Sequence, residues 1–181
     1  MSEGIAASAA DDTDAPPAGF AVLPIGGNFM AHNGPLYVRV VEGRAHVGFR
    51  VRPRHTNPLN NCHGGMLASF GDMLLPVCIH RQSQIGQRFL PTVSLQIDYL
   101  APAPLGAWVQ GEAEVLRVTR TMVFAQGVAR IDGVPVLRVS GVFKIGQPFG
   151  RATPCAKTIV RVTRSTSASP CTQAPSGAGA R

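Results

Sequence analysis

Apolar and polar residues alternate along most of the middle of the chain, and this alternation predicts β-strands on both sides of one helix. Residues 36–41 and 45–51 flank Glu42-Gly43-Arg44, which predicts a β-hairpin closed by a short glycine-containing turn. Four later segments show a similar alternation, at residues 92–100, 107–118, 122–131 and 134–145. Asp132-Gly133 separates the last two segments and is typical of a tight hairpin turn.

Residues 63–82 carry a helical pattern instead. At about 100° per residue, one broad face collects Met66, Phe70, Met73, Leu74 and Val77, with Leu67 and Cys78 at its edge. The opposite face collects small residues around one carboxylate, namely Gly65, Ala68, Ser69, Asp72 and Pro76. We expect the apolar face to pack on a sheet and the small face to leave room for a ligand or another backbone. Because Pro76 cannot donate to the carbonyl four residues earlier, we also expect a kink there.

The order of these elements predicts an α+β fold in which the long helix packs on an antiparallel sheet. A chain of 181 residues fits one domain with tails, and we place the domain at residues 20–149. Residues 1–19 hold four acidic residues and no basic one, whereas residues 150–181 hold five basic residues and no acidic one. Small and polar residues dominate the C-terminal segment, so we expect a disordered acidic N-terminal tail and a disordered basic C-terminal tail.

Charge and hydropathy limit the partners of the domain. The net charge is +7, and because the N-terminal tail contributes −4 and the C-terminal tail +5, the middle of the chain carries +6, which suits a phosphate-bearing ligand such as coenzyme A. The basic tail has no aromatic residue for base stacking, which argues against a nucleic-acid partner. No apolar run reaches the roughly 18–20 residues that cross a bilayer, and no basic residue precedes Arg39, as a targeting peptide would require. We therefore expect a cytoplasmic protein without a membrane partner.

The four cysteines, Cys62, Cys78, Cys155 and Cys171, form no CxxC pair and no cluster with metal-ligand spacing. This spacing predicts neither a disulfide framework nor a metal site. Cys62 lies beside His63 and invites a nucleophile interpretation, but a small semi-buried thiol beside the site is the favoured one.

The start of the predicted helix carries the candidate chemistry. His63-Gly64-Gly65 precedes the helix, whose first N–H groups and positive dipole end suit an oxygen that gains negative charge. Asp72 follows two turns later and can act as a base or a nucleophile. These residues indicate acyl-transfer or hydrolytic chemistry, although Asp72 on a helix surface and a glycine turn before a helix are also common without function.

With Asn57 six residues before His63, and with Thr92 and Tyr99-Leu100-Ala101-Pro102 downstream, the chain resembles the hotdog-fold acyl-CoA thioesterases of the phenylacetate-pathway (PaaI) type. The resemblance spans about residues 35–146. One departure is that Asn60 or Asn61 stands where the family often has a glycine, and asparagine also tolerates left-handed backbone geometry. The resemblance implies a homodimer or homotetramer whose active sites lie at the subunit interface.

The resemblance also implies roles for individual residues. Asp72 would act as general base or nucleophile, and the Gly64 N–H would polarise the thioester carbonyl. Asn57 would orient the carbonyl or the water, and Thr92 would hold the attacking water. His63 and Gly65 would support the turn. No arginine is selected for the phosphates of coenzyme A, and no cofactor is implied beyond coenzyme A as part of the substrate.

Two other functions remain open from the sequence. One is a hydratase or dehydratase on acyl thioesters with the same fold, in which His63 would have to be catalytic. The other is a non-catalytic acyl-CoA-binding or regulatory module, which would have no need of Asp72 facing a thioester. The acyl group itself cannot be read from the sequence.

Overall fold

The computed structural model describes residues 15–149 of the chain. The elements run in the order β1 (Ala21–Leu23), α1 (Gly27–Asn33), β2 (Leu36–Val41), β3 (Arg44–Arg50), α2 (Gly64–Gln82), β4 (Thr92–Tyr99), β5 (Trp108–Val118), β6 (Met122–Ile131) and β7 (Val134–Lys144). A short 3₁₀ helix, Pro53–His55, lies in the loop before α2. The segments predicted as one long helix and six strands are therefore confirmed, each to within one or two residues.

All seven strands belong to one antiparallel sheet with the order β1-β2-β3-β5-β6-β7-β4. The β2–β3 hairpin turns at Glu42 and Gly43, which both have positive φ, and Asp132 and Gly133 do the same between β6 and β7. Positive φ at both central residues gives a turn whose twist matches the flanking strands. β4 follows α2 in sequence but joins the sheet beside β7, so it lies at the edge.

Helix α2 packs on one face of the sheet, as the α+β hotdog arrangement requires. Its Phe70, Leu74, Leu75 and Ile79 side chains are fully buried. Glycines in the strands allow this close approach, because a Cβ atom at Gly111 would lie 2.6 Å from Leu74 and one at Gly141 would lie 2.9 Å from Leu75. Large side chains of α2 therefore pack directly against the glycine backbone of the strands, which holds the helix close to the sheet.

The buried surface of α2 is wider than the predicted apolar face. Gly71, Leu75 and Ile79 are buried although the pattern did not place them there, and Met73 is only partly buried. The cause is the sheet, which is broad enough to cover more than one side of the helix. Ala68, Ser69, Asp72 and Pro76 stay partly exposed, as expected for the small face. α2 includes Pro76 in its interior, and the kink expected there stays a prediction.

Two short elements precede the predicted hairpin and were missed. β1 adds three residues to the sheet by pairing with β2, and α1 buries only Met30. Both are too short to show a period, and their positions depend on the elements they contact. Residues 1–14 of the predicted N-terminal tail (1–19) and the whole predicted C-terminal tail (150–181) lie outside the described residues. Arg50 donates a hydrogen bond to the carbonyl of Ala15, and the domain boundary near residue 20 stays a prediction.

Candidate active site

The N-terminus of α2 is capped by His63. Its ring Nδ1 accepts a hydrogen bond from the Gly65 N–H at 2.9 Å, while the His63 carbonyl accepts from Met66 and Leu67. Because Nδ1 is occupied as an acceptor, the exposed His63 ring serves the helix as a cap. Gly64 is the first helical residue, and its N–H is one of the four that an α-helix leaves without a partner inside itself.

The peptide that joins Gly64 to Gly65 is held at both of its polar ends. The Tyr99 hydroxyl donates to the Gly64 carbonyl at 3.0 Å, and the Gly65 N–H is bound to the His63 ring. The Tyr99 ring also lies so close that a Cβ atom at Gly64 would be 3.3 Å from it. Tyr99 lies 35 residues away in sequence and fixes the helix start from the end of β4. Sequence reasoning used Tyr99 only as a marker of the resemblance and gave it no role.

Asn57 organises the loop that leads to the helix. Its Oδ1 accepts hydrogen bonds from the backbone N–H groups of Leu59, at 2.9 Å, and Asn61, at 3.2 Å. Asn60, between them, has a φ of 56°, which confirms that the asparagine pair supplies the left-handed residue of this loop. With the carbonyl oxygen so engaged, the amide NH₂ of Asn57 is the side-chain group that can face a ligand. Asn57 and Gly64 line the same open pocket, of about 450 Å³, together with Tyr99.

Asp72 and Thr92 meet at a second place. The Thr92 hydroxyl donates to Asp72 Oδ1 at 2.6 Å, which joins α2 to the first residue of β4. A donor on one carboxylate oxygen leaves the second oxygen free to accept a proton from water, and the Thr92 oxygen keeps its own acceptor sites. This pair can therefore hold and deprotonate a water molecule, or position the carboxylate as a nucleophile.

Asp72 and Thr92 lie at one side of an apolar cavity of about 400 Å³. Its walls come from Met73, Pro76 and Val77 of α2, from the segment Phe89–Pro91, and from Ile25–Gly27. The carboxylate, its hydroxyl partner and an apolar receptacle are thus adjacent. This is the combination expected where the acyl part of a substrate is bound beside the group that attacks it.

Gly64 and Asp72 are too far apart in one chain to act on the same carbonyl group. They are separated by eight residues of α2, or about 12 Å along the helix axis at about 1.5 Å per residue. An oxygen that the Gly64 N–H polarises and a carbon that Asp72 or its water attacks must lie within a few ångströms of each other. One chain therefore presents two half-sites, one with Asn57 and Gly64 and one with Asp72 and Thr92.

Two other groups lie near the helix start, and one of them, Cys62, lines the same pocket as Asn57 and Gly64. Cys62 is buried, and burial raises the pKa of its thiol to about 12, so no thiolate is available there at neutral pH. His55 is also buried; its Nδ1 accepts from the Arg52 N–H, and burial, together with the charge of Arg54, lowers its pKa. Within residues 15–149, no three His, Cys, Asp or Glu side chains are grouped so that they could hold a metal ion.

Comparison with known proteins bears on the fold and the family. The sheet order and the helix packed on it define a hotdog fold, and the model of the thioesterase superfamily matches residues 59–136, from the loop before α2 into β7. Over these residues the chain is similar to members of the thioesterase superfamily. This confirms the resemblance noted from Asn57, the glycine pair and Asp72. Among the described residues, no helix is both long and apolar enough to cross a membrane.

Three relatives illustrate the match. Acyl-coenzyme A thioesterase 13 of Mus musculus is 31% identical over 78 residues, which are 42% of this chain and 53% of the mouse protein. The protein BH2602 of Bacillus halodurans, whose structure was solved with CoA, is 26% identical with a TM-score of 0.55, over 61% of this chain and 73% of that one. The phenylacetic acid degradation protein PaaI of Thermus thermophilus, as its N33D mutant, shares the fold at 24% identity and a TM-score of 0.56, over 65% and 97%.

Proposed function

We propose that the protein is an acyl-CoA thioesterase that hydrolyses acyl-CoA thioesters to the free acid and CoA. The observation that carries the proposal is the contact between Thr92 and Asp72 beside an apolar cavity, in a chain whose residues 59–136 match the thioesterase superfamily model. The names of relatives support the substrate, because one is an acyl-coenzyme A thioesterase and another was solved with CoA. The enzyme needs no cofactor beyond the coenzyme A of its substrate and works in the cytoplasm.

The proposed chemistry uses the two half-sites together. The Gly64 N–H at the positive end of α2 polarises the thioester carbonyl and stabilises the oxyanion that forms. Asn57 donates from its amide to the same region, and His63 and Gly65 keep the helix start in shape. Asp72 either removes a proton from a water molecule that Thr92 holds, or attacks the carbonyl carbon itself. In the first route the CoA thiolate leaves and takes up the proton from Asp72, and the acid product carries the oxygen of the water. In the second route the thiolate leaves an anhydride between the acyl group and Asp72, which water then hydrolyses to the free acid and the Asp72 carboxylate.

The separation of about 12 Å along α2 means that a complete site needs two copies of the chain. We propose a homodimer, or a homotetramer of paired dimers, in which Asp72 and Thr92 of one subunit face Asn57 and Gly64 of the other. The edge position of β4 supports this arrangement. Val93, Tyr99 and Leu100 are more than half exposed on or just after that strand, and an unpaired edge with exposed apolar side chains favours pairing with another chain.

The first test is the release of free CoA thiol from a panel of acyl-CoA thioesters by the full-length protein and by Asp72→Asn. We expect turnover by the natural chain and a loss of at least about a hundredfold in Asp72→Asn, since the amide can neither accept the proton nor attack. Tight acyl-CoA binding without turnover in the natural chain would exclude the thioesterase and favour a binding module. Hydration of an enoyl-CoA without thiol release would favour a hydratase.

The shared site has its own test. Asp72→Asn and Asn57→Ala are each expected to be inactive alone. After the two are unfolded, mixed and refolded, about half of the dimers would contain one chain of each kind, and each mixed dimer would regain one intact site out of two. We expect about a quarter of the natural activity to return. If the mixture stays inactive while size measurements show dimers, each site lies within one chain and the proposed arrangement is wrong.

A further inference from the structure

The apolar cavity beside Asp72 extends along α2 in a single direction. Asp72, Met73, Pro76, Val77 and His80 all line it. Met73, Pro76, Val77 and His80 follow Asp72 by one, four, five and eight residues, and these spacings place all five side chains on one side of the helix. His80 therefore lies about 12 Å further along the helix axis than Asp72.

Three rings line the cavity at its His80 end. The Phe149 ring lies 6.3 Å from the Phe89 ring and 6.3 Å from the His80 ring, centre to centre. His80 Nε2 is 2.8 Å from the carbonyl oxygen of Arg88. Because a carbonyl can only accept, His80 donates from Nε2, and this hydrogen bond fixes the ring as part of the wall.

The cavity offers no partner for a charged acyl group. Of the ionisable side chains among the described residues, only Asp72 and His80 line it, and neither lysine nor arginine does so. Asp72 repels a second carboxylate, and His80 already donates its Nε2 hydrogen to the Arg88 carbonyl. A carboxylate at the end of an acyl chain would be desolvated there without compensation.

Part of this wall lies outside the range that the superfamily model matches. The segment Ile25–Gly27 and Phe149 lie before and after residues 59–136, whereas Asp72 and Thr92 lie within that range.

We propose that this cavity selects uncharged, apolar acyl groups of medium length, and that Phe149 and Phe89 set the upper limit. Here the inference rests on the proposed thioesterase function. A straight alkyl chain advances about 1.3 Å per carbon along a zigzag of roughly 1.5 Å bonds, so a span of about 12 Å admits about eight to nine carbons before it reaches the rings. An arylacetyl group of similar bulk is accommodated by the same apolar walls.

The test measures binding and turnover separately on the full-length protein. Non-hydrolysable S-alkyl-CoA thioethers from four to fourteen carbons are titrated by calorimetry, and the matching acyl-CoA thioesters are assayed for kcat/KM. We expect affinity to rise about fourfold per methylene, as apolar burial predicts, up to about eight carbons, and then to stop rising. Phenylacetyl-CoA should be accepted, and succinyl-CoA should be at least about a hundredfold poorer than hexanoyl-CoA.

Phe149→Ala and Phe89→Ala each remove part of the end wall, and neither side chain belongs to the buried core, since Phe89 is exposed and Phe149 is half-buried. We expect the break in each variant to move to longer chains by two carbons or more. Phe29→Ala is the matched control, because Phe29 is exposed on α1 and does not line the cavity. Its chain-length profile should match that of the natural protein.

Different outcomes separate this inference from the proposed function. A length profile without a break, a preference for succinyl-CoA, or an unchanged break in both wall variants would overturn the cavity assignment. If the thioethers show the expected break and its shift but no thioester is hydrolysed, the cavity assignment holds and the thioesterase proposal fails.

Discussion

The hydrogen bond from Thr92 to Asp72 gives the sharpest prediction for the proposed chemistry. Thr92→Val keeps the shape and strand preference of the side chain but removes the only hydroxyl that the described residues place on Asp72 Oδ1, at 2.6 Å. A hydrogen bond to a charged group contributes about 1.5–3 kcal/mol, and about 1.4 kcal/mol corresponds to tenfold in rate. The Thr92 side chain is exposed in one chain, so the lower end applies. We expect kcat/KM to fall by about tenfold.

The assay is thiol release from a good acyl-CoA substrate, with the unfolding free energy measured in urea beside it. Ser94→Ala is the control. Ser94 lies on the same strand, where it pairs with Val142, and its hydroxyl makes no hydrogen bond to Asp72, so this variant loses a hydroxyl without changing the Asp72 contact. A Thr92→Val enzyme that stays within about twofold of the natural kcat/KM, while folded and dimeric, would refute the role of this hydroxyl.

Four other variants or conditions test further parts of the site. Tyr99→Phe removes the hydrogen-bond donor to the Gly64 carbonyl. Since a neutral hydrogen bond contributes about 0.5–1.5 kcal/mol, kcat should fall about two- to tenfold with little change in KM. A two- to tenfold change in KM with an unchanged kcat would contradict this. His63→Ala should lower the free energy of unfolding, measured by urea titration, by about 1 kcal/mol because the helix cap is lost. His63→Asn can still cap the helix and should keep the natural stability. Full loss of activity in a stable His63→Asn variant would instead favour a catalytic histidine. Burial lowers the pKa of His55, so this side chain binds a proton more readily in the unfolded chain than in the folded one. The midpoint of urea unfolding should therefore fall as the pH drops below about 6.5. A midpoint that does not depend on pH would exclude this effect. Burial raises the pKa of Cys62 to about 12, so this thiol should resist iodoacetamide at pH 8 in the folded protein. Labelling is followed by mass spectrometry, and rapid labelling would show that the thiol is accessible.

The sequence predicted the helix and the six longer strands because each has a clear period and clear ends. Asp132-Gly133 and the glycine in Glu42-Gly43-Arg44 marked tight turns, and both turns form where expected. β1 and α1 were missed because three and seven residues carry too little periodicity. The buried face of α2 was predicted too narrowly, since a helical pattern does not show how far a sheet extends around the helix. Leu75 and Ile79 are buried for that reason.

The candidate site was predictable in its parts and not in its arrangement. Gly64 and Asp72 were recognisable because a helix start and a carboxylate two turns later are local features of one segment. The contact between Asp72 and Thr92 joins residues 20 apart, and the contact between Gly64 and Tyr99 joins residues 35 apart. Neither contact follows from spacing, because the path of the chain from α2 to β4 decides which side chains meet.

The sequence by itself determined the class of the fold, the bounds of its main elements and the residue types at the helix start. These are local properties, set by apolar periodicity, turn residues and free N–H groups at a helix end. Only the tertiary structure decided that β4 lies at the sheet edge and that Thr92 binds Asp72. It also decided that a cavity lined by Phe89 and Phe149 lies beside that pair. Those features depend on packing between segments distant in sequence, which the pattern within a single segment does not determine.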